Sequence, residues 1–284
     1  MIKDYYHLTK PGIIRGNIVS TVAGFLLASK GQVNFGLFAL TLGGISLVIA
    51  SACVFNNYID RDIDQKMART KRRALVSGSI SGRNALIYAS ILGVIGELIL
   101  AVYTNWLTAL IALFGFVMYV AVYGIWKRRS TLGTLVGSIS GATPPVVGYC
   151  AVTGRLDSAA VILFLILVFW QMPHFFAIAM YRLKDYAAAG IPVLPVKKGI
   201  LTTKIQMLLY AFGFGIASVM LTVLGYTGRI YLGVALLVGI SWTALCIRGF
   251  WVSDDSRWAH QMFFFSLISL TLLCATISID HFLL

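Results

Sequence analysis

The stretch FGLFALTLGGISLVIASACVFNNYIDRDIDQKMARTKRR, residues 35–73, joins a long apolar segment directly to a densely charged one. Residues 35–55 carry no charged side chain, and a run of about 20 apolar residues can cross the hydrocarbon core of a bilayer as a helix. Residues 56–73 then hold two asparagines, three aspartates and six cations. The sequence therefore predicts a transmembrane helix whose end carries more charged and amide side chains than a membrane stop signal needs.

The same apolar pattern recurs along the chain, in which 59% of the 284 residues are hydrophobic and 12% are charged, with a mean hydropathy of +0.86. We predict an all-α integral membrane protein that forms a single transmembrane domain over residues 1–284. Two long polar connections lie four helices apart, which indicates two related four-helix halves plus a ninth helix. The nine predicted spans are residues 13–29, 35–55, 85–103, 106–125, 133–152, 159–180, 205–226, 230–249 and 262–279.

The cations are distributed unevenly between the two sides of the predicted bundle. The N-terminal tail and the even-numbered connections hold 20 of the 23 lysines and arginines. Because cytoplasmic loops are enriched in these residues, we expect the N-terminus in the cytoplasm and the C-terminus outside, in a cell inner membrane. Topology thus explains most of the net charge of +13, and the chain has no basic patch on a soluble surface that would indicate nucleic-acid binding.

Four oxygen-bearing side chains share one face at the end of the second span, provided that the helix continues beyond the apolar run. At about 100° per residue they fall within an arc of about 100°, whereas Asp62 falls on the opposite side. Carboxylate and amide oxygens suit Mg²⁺, which binds one or two carboxylates together with water and substrate phosphates. The predicted metal ligands at this face are Asn56, Asn57, Asp60 and Asp64.

Bases follow these acids and recur on the same side of the membrane. Acids followed by bases are expected where a metal-bound polyanion is held, because the acids bind the metal and the bases bind phosphate oxygens. A cytoplasmic location alone also accounts for the bases, and this alternative stays open. The candidate diphosphate-binding residues are Lys10, Lys66, Arg69, Arg72, Arg73, Lys127, Arg128, Arg182 and Lys184.

The second long connection reads WQMPHFFAIAMYRLKDYAAAGIPVLPV, residues 170–196. Polar groups within a span usually face a cavity or the bundle interior. His174 is equally well explained as an interhelical hydrogen-bonding residue. The prolines at 192 and 195 predict a stiff, extended segment after the helix. The helical spacing predicts a polar stripe that runs from within the sixth span to its cytoplasmic end and consists of Gln171, His174, Tyr181 and Asp185.

The fourth connection and the fifth span read YGIWKRRSTLGTLVGSISGATPP, residues 123–145. The glycines at 133, 137 and 141 recur every four residues, which predicts a helix face for close packing against a neighbour. Pro144 and Pro145 predict a break or kink in the fifth span.

These motifs together resemble those of the UbiA-type intramembrane prenyltransferases. NNYIDRDID with RTKRR, and YRLKDYAAAGIPVLPV four spans later, match the two polar motifs of that family. KPGI, GATPPVVGY and WQMPHF extend the resemblance along essentially the whole chain. Quinone-type relatives often carry acids where this chain has Asn57 and Tyr181, and the Tyr-Arg-x-Lys-Asp form of the second motif resembles the haem-modifying branch.

The resemblance implies nine helices around a central cavity, with Mg²⁺ and farnesyl diphosphate bound at its cytoplasmic end. It implies an enzyme that transfers the farnesyl group to a vinyl group of haem b and adds water, which gives haem O and diphosphate. Gln171 and His174 would contact haem, and haem-receiving terminal oxidase machinery would be a partner. Asp185 would join the metal ligands of the first motif. The implied catalytic residues are Asn56, Asp60, Asp64, Tyr181 and Asp185.

Two other functions remain open from the sequence. A related prenyltransferase would act on an aromatic quinone precursor or on chlorophyllide, because the acceptor end of the site has no readable signature. A cation transporter would use Asp60, Asp64 and Asp185 as a relay, in keeping with the internal repeat. The acidic cluster argues against transport, since it lies at the membrane interface whereas transporter sites usually lie near the midplane.

Overall fold

The computed structural model of the chain describes residues 2–67 and 70–280. Within these ranges nine helices are long and apolar enough to cross a membrane, which confirms the predicted all-α membrane fold. They are α1 (Pro11–Ser29), α2 (Phe35–Ile59), α3 (Gly82–Tyr103), α4 (Trp106–Arg129), α5 (Gly133–Thr153), α6 (Ser158–Tyr181), α7 (Leu194–Val223), α8 (Arg229–Trp251) and α9 (Asp255–Asp280).

Several helices extend further than the apolar runs do, because a helix need not end where the hydrocarbon ends. α7 begins at Leu194, so the prediction of an extended segment at Pro195 is wrong. Pro195 lies in the first turn of α7, where the missing N–H of proline costs no hydrogen bond. α7 then bends at Gly199, whose φ of 81° is a conformation that glycine tolerates and other residues rarely adopt.

Contacts between distant helices define one end of the bundle. Lys10 precedes α1 and donates to the side chain of Asn56 at 2.9 Å. Asp60, which follows α2, pairs with Lys127 of α4 at 2.5 Å. We call the end that carries these contacts the basic end, since the tail and connections found there hold most of the cations. One short helix at this end, Ile2–Leu8, precedes α1. The others lie between long helices and span Arg61–Asp64, Ala74–Ser77 and Leu183–Ala188.

At the opposite end, Asp280 closes the bundle. Its buried carboxylate accepts hydrogen bonds from the backbone N–H groups of Gly228 and Tyr231, at the start of α8. A carboxylate at a helix N-terminus satisfies N–H groups that have no partner within the helix. The end of α9 is thereby attached to the beginning of α8.

α1 and the second half of α5 pack with their backbones in contact. A Cβ atom on Gly24 would lie 2.0 Å from the carbonyl oxygen of Pro145, and one on Gly148 would lie 2.1 Å from that of Thr21. Small residues permit such close approach in membrane helices. α5 is interrupted at Ala142, between Gly133–Gly141 and Thr143–Thr153, which confirms the break predicted from the two prolines.

The predicted glycine face of α5 is also confirmed. A Cβ atom on Gly133 would lie 2.6 Å from the backbone of Lys127, and one on Gly137 would lie 3.0 Å from the ring of Tyr123. Both contacts are made with the last turns of α4, so the glycines bring that part of α4 against α5. The division into two four-helix halves stays a prediction.

Candidate active site

The end of α2 bends where the sequence predicted a continuous helix. α2 ends at Ile59, Asp60 adopts φ −90° and ψ 1°, and a single turn follows over Arg61–Asp64. The prediction of one helix from the apolar run to Asp64 is therefore wrong. Arg128 of α4 donates to the carbonyl oxygen of Ile59, which satisfies a backbone group exposed at the helix end. Asp60 and Asp64 still lie one turn apart, joined by a 2.8 Å backbone hydrogen bond.

The two asparagines of the first motif are buried and connect α2 to the N-terminal segment. Asn56 and Asn57 are each 3% exposed. Asn56 accepts a hydrogen bond from Lys10, and Asn57 donates to the carbonyl oxygen of Leu8 at 2.7 Å. The N-terminal segment thus contributes one wall of the site.

Asp60 interacts with two cations from the last turn of α4. Its carboxylate pairs with Lys127 at 2.5 Å, and its other oxygen lies 3.6 Å from Arg128. Arg128 also makes two 2.8 Å hydrogen bonds to Asp62. The helical spacing placed Asp62 on the opposite side of the helix from Asp60. In the structure Arg128 nevertheless connects the two carboxylates. These hydrogen bonds lower the pKa of the Asp62 carboxyl below its ordinary value.

Asp64 has a separate cationic partner. Its side chain is buried and pairs with Arg73 at 2.6 Å, within the loop that follows. Its backbone oxygen accepts from the hydroxyl of Thr70 at 2.9 Å, which fixes the fold of that loop. The two carboxylates of the first motif are thus paired with cations from two different elements. We call Asn56, Asn57, the three aspartates, Lys10, Arg73, Lys127 and Arg128 the acid–base cluster.

Four buried polar atoms of the acid–base cluster have no hydrogen-bond partner among the described residues. They are Asn56 Nδ2, Asn57 Oδ1, Asp60 Oδ1 and Arg128 Nε. Leaving a buried polar atom without a partner costs about 1–3 kcal/mol. Two of the four are oxygens, and hard divalent cations bind oxygen ligands. The residues present therefore fit a divalent metal ion.

Lys10 has two properties that distinguish it from the other cations. Its backbone is left-handed, with φ 54° and ψ 65°, which is uncommon for a residue with a side chain and persists where surrounding contacts enforce it. Burial lowers the pKa of its ammonium to about 8. The nearby Arg73 and Lys127 also lower this pKa, whereas the nearby Asp60 opposes the shift.

Sequence reasoning missed two tyrosines of α4 that lie beside the acid–base cluster. Residues 118–123 form a π-helical turn, a feature that often occurs at functional sites. Within it the rings of Tyr119 and Tyr123 stack at 5.5 Å, and the ammonium of Lys127 lies 4.9 Å above the ring of Tyr123. The spacing of four residues from Tyr119 to Tyr123 to Lys127 is the sequence signal that indicates this shared face.

The second motif is arranged differently from the prediction. α6 ends at Tyr181, the chain turns at Arg182, and Asp185 lies on the separate helix Leu183–Ala188. The predicted continuous stripe from α6 to Asp185 is therefore wrong. Asp185 lies 3.9 Å from Arg182, and both side chains are 35% exposed. Within residues 2–67 and 70–280, no three His, Cys, Asp or Glu side chains form a metal-binding group, so Asp185 is not assembled with Asp60 and Asp64.

Three of the remaining predicted cations lie at the surface of the basic end. Lys66, Arg72 and Lys184 are exposed and make no ion pair with a described residue. Arg69 lies outside the described residues. Their roles toward diphosphate stay predictions.

The predicted haem-contacting residues are buried and hydrogen-bonded. His174 Nδ1 lies 2.7 Å from the hydroxyl of Ser266, and the imidazole stacks on Trp170 with ring centroids 4.8 Å apart. Gln171 donates its amide to the carbonyl oxygen of Ser138 at 3.1 Å. These contacts agree with the open alternative that His174 is an interhelical hydrogen-bonding residue. A contact with haem stays a prediction.

Tyr181 has an aromatic partner that the sequence did not reveal. Its ring stacks on His260 of α9, with ring centroids 4.0 Å apart and 27° between the planes. The last turn of α6 is thereby joined to the first turns of α9. The interaction depends on tertiary structure, and no spacing in the sequence indicates it.

Comparison with known protein families and curated proteins gives matches over nearly the whole chain. The model of the UbiA prenyltransferase family matches residues 17–268. Proteins named protoheme IX farnesyltransferase are 55% identical in Yersinia pseudotuberculosis, 56% in Yersinia enterocolitica and 53% in Citrobacter koseri. Each match spans 281 residues, which is 99% of this chain and 95% of the relative.

Solved structures share the fold at much lower sequence identity. A structure of digeranylgeranylglyceryl phosphate synthase has a TM-score of 0.84 and 18% identity, and the match covers 100% of this chain and 99% of that one. A UbiA homolog from Archaeoglobus fulgidus, bound to GPP and Mg²⁺, has a TM-score of 0.68 and 15% identity over 97% of this chain and 99% of its own. At these identities the likeness is one of fold.

Proposed function

The chain belongs to the UbiA prenyltransferase family, and we propose that it transfers the farnesyl group of farnesyl diphosphate to a vinyl group of haem b. Water adds in the same reaction, and the products are haem O and diphosphate. The observation that carries this proposal is the 55% identity, over 99% of the chain, with proteins named protoheme IX farnesyltransferase. The acid–base cluster at the end of α2 supports it, because a diphosphate leaving group needs both a metal ion and cations.

The diphosphate end of the reaction belongs to the acid–base cluster. Asn56, Asn57, Asp60 and Asp64 would hold a divalent ion, which we propose is Mg²⁺, as bound in the Archaeoglobus homolog. When bound, the ion neutralises negative charge that develops on the departing diphosphate. Cations of the cluster lie at the same place and would bind the remaining phosphate oxygens. These cations are Lys10, Arg73, Lys127 and Arg128.

The cations of the cluster also assist bond cleavage. The bond between the first farnesyl carbon and the diphosphate oxygen breaks, and donors such as Lys127 and Arg73 stabilise the oxygen that gains charge. The farnesyl carbon then has allylic-cation character and must not meet water prematurely. The rings of Tyr119 and Tyr123, beside Lys127, are suited to face such a carbon, because an aromatic face attracts a cation.

The acceptor half of the reaction takes place at a vinyl group of haem b. The terminal vinyl carbon of haem b forms the new bond to the farnesyl carbon, which leaves a cation on the adjacent carbon. Water adds to that carbon and releases a proton, which gives the hydroxyethylfarnesyl group. The apolar spans around the site keep other water away until the new carbon–carbon bond has formed. His174 and Gln171 of α6 would contact the haem.

The protein is a multi-pass membrane protein, and we propose that its basic end faces the cytoplasm of a cell inner membrane. The excess of lysine and arginine in the connections of that end supports this orientation. The site would then receive farnesyl diphosphate from the cytoplasmic side. Terminal oxidase machinery that uses haem O would be the receiving partner.

The decisive assay uses the purified protein in lipid nanodiscs with haem b, farnesyl diphosphate and Mg²⁺. Mass spectrometry of the extracted haem is expected to show the hydroxyethylfarnesyl product, and the Asp60→Asn variant serves as the inactive control. An unchanged haem pool, together with prenylation of an aromatic quinone precursor or of chlorophyllide by the same preparation, would overturn the proposed acceptor.

A further inference from the structure

We propose that a groove between the end of α8 and the start of α9 binds one anionic phospholipid, whose phosphate is held by Arg248 and Arg257. We call it the α8–α9 groove, and the residues of its wall that carry the argument are Leu245, Arg248, Arg257, Phe264 and Ile268. The groove contains a cavity of about 440 Å³, a volume typical of sites for small ligands. It lies apart from the acid–base cluster and needs neither haem nor farnesyl diphosphate.

The rim of the α8–α9 groove is basic. Arg248 and Arg257 are both exposed, and neither forms an ion pair with a described residue. Arg248 donates to the side-chain oxygen of Gln261 at 3.3 Å, and no described residue that lines this cavity is acidic. Asp254 lines an adjoining cavity that shares both arginines, and its carboxylate accepts from the backbone N–H of Arg257 at 3.0 Å. Because guanidinium groups bind phosphate through paired N–H donors, the rim is complementary to a phosphate group.

The floor of the α8–α9 groove is apolar and extends into the membrane. Leu245 lies three residues before Arg248 on α8. Phe264 and Ile268 lie seven and eleven residues after Arg257 on α9, and both are more than half exposed. At 1.5 Å per residue, the apolar wall of α9 reaches about 16 Å from the basic rim toward the membrane interior. The groove therefore fits a phosphate attached to a hydrocarbon chain, and basic pockets between helices at the cytoplasmic side commonly bind anionic lipid headgroups.

The direction in which the α8–α9 groove opens favours a lipid over a substrate. The side of α9 that faces α6 carries Ser266, whose hydroxyl lies 2.7 Å from the imidazole of His174. At about 100° per residue, Ile268 is rotated about 160° around the helix from Ser266. A ligand in the groove would have to pass around α9 to reach the bundle interior, whereas a phospholipid remains in contact with the bilayer. Haem, which also combines acidic groups with an apolar body, is therefore the disfavoured occupant.

His260 connects the α8–α9 groove to the rest of the bundle. It lines the cavity, and its ring stacks on Tyr181 at the end of α6 with ring centroids 4.0 Å apart. A phosphate that contacts Arg248 of α8 and Arg257 of α9 would hold these two helices together beside the stack. Because a ligand that binds the folded state stabilises it, the melting temperature should rise when the phospholipid binds.

The test adds phosphatidylglycerol or phosphatidylcholine to the full-length protein in detergent and measures bound lipid by native mass spectrometry. We expect the wild type to bind phosphatidylglycerol at least about tenfold more tightly than phosphatidylcholine. A variant that combines Arg248→Gln and Arg257→Gln should lose this preference, and phosphatidylglycerol should no longer raise its melting temperature. The comparison of the two lipids in the wild type depends on no variant, so instability of the glutamine variant leaves the proposal testable.

The matched control combines Lys197→Gln and Lys198→Gln. These exposed cations lie at the start of α7, at the same end of the bundle, and form no ion pair with a described residue. The control therefore loses two charges outside the α8–α9 groove, and its affinity for phosphatidylglycerol should stay within about twofold of the wild type.

Four results would overturn the proposal. The wild type could bind both lipids equally, or the control and the glutamine variant could lose affinity for phosphatidylglycerol equally. Inorganic phosphate could raise the melting temperature as much as phosphatidylglycerol does, which would assign the groove to a free anion. Haem b could displace the bound phosphatidylglycerol, which would assign the groove to haem.

Discussion

At the residue scale, the three aspartates that follow α2 have different partners and therefore different roles. Asp60 and Asp64 are the carboxylates that the proposed ion would bind, and each is paired with a cation. Asp62 is exposed and pairs with Arg128 beside Asp60, so we expect it to position that cation. The helical spacing placed Asp62 on a different face from Asp60 and Asp64. The structure shows that the carboxylate of Asp62 accepts hydrogen bonds from Arg128.

Replacing these aspartates should separate the two roles. Asp60→Asn and Asp64→Asn are expected to lower haem O formation by about 10²-fold or more, because each removes a charge that holds the metal at the leaving group. Asp62→Asn should cost about tenfold or less, since Arg128 keeps its bond to the carbonyl oxygen of Ile59. Turnover is measured by chromatography of extracted haem. Near-normal turnover in both Asp60→Asn and Asp64→Asn would contradict the proposal that these carboxylates hold a metal ion.

Lys10 predicts a pH dependence. Because burial lowers its pKa to about 8, the ammonium is charged below that pH and loses its charge as the pH rises through it. The kcat/KM for farnesyl diphosphate, which reports groups of the free enzyme, should therefore fall above about pH 8. Lys10→Arg keeps the charge and should move this fall to higher pH. An identical pH profile in the wild type and in Lys10→Arg would exclude Lys10 as the titrating group.

At the element scale, close helix contacts position the site. The glycine face of α5 lies against the last turns of α4, from which Tyr123 and Lys127 reach the acid–base cluster. α1 packs against the second half of α5 and presents Lys10 at its start. The loop between α2 and α3 supplies Arg73. The cluster is therefore built by several elements, and each depends on packing within the bundle.

The contact between α1 and α5 can be tested with one methyl group. Gly148→Ala would place a Cβ atom 2.1 Å from the carbonyl oxygen of Thr21, so the helices must separate. Overpacking of this kind costs about 1–3 kcal/mol, and the melting temperature in detergent should fall accordingly. Gly43→Ala is the control, since nothing lies within 4 Å of its Cβ position. Equal melting temperatures for the two variants would contradict the described packing.

At the scale of the whole molecule, the lengths of the apolar runs predicted the nine long helices. They did not predict where the helices end. The bend at Asp60, the early start of α7 and the separate helix that carries Asp185 all lie beyond the apolar runs. There the outcome depends on tertiary partners, such as Lys127, which is 67 residues from Asp60 in the chain. The first motif was recognisable because its residues are close in sequence. The cations that pair with its aspartates, and the stacked rings of Tyr119 and Tyr123, could be identified only from the fold.

The orientation of the bundle is open to direct measurement. All four native cysteines are buried and should react little, so single cysteines can report each end. We expect Lys71→Cys, at the basic end, to resist a membrane-impermeant maleimide in intact cells, and Lys30→Cys to react. Both should react after the membrane is opened. Labelling of Lys71→Cys alone in intact cells would reverse the proposed topology.

The most direct test of the central claim is the position of a metal ion in a structure with its diphosphate. Crystals of the protein with Mn²⁺ and farnesyl thiodiphosphate allow the ion to be located by its anomalous scattering. We predict Mn²⁺ within about 2.0–2.5 Å of carboxylate oxygens of Asp60 and Asp64, with Lys127 and Arg73 on the phosphates. An ion held elsewhere, with Asp60 still paired to Lys127 and the analogue bound, would contradict the account.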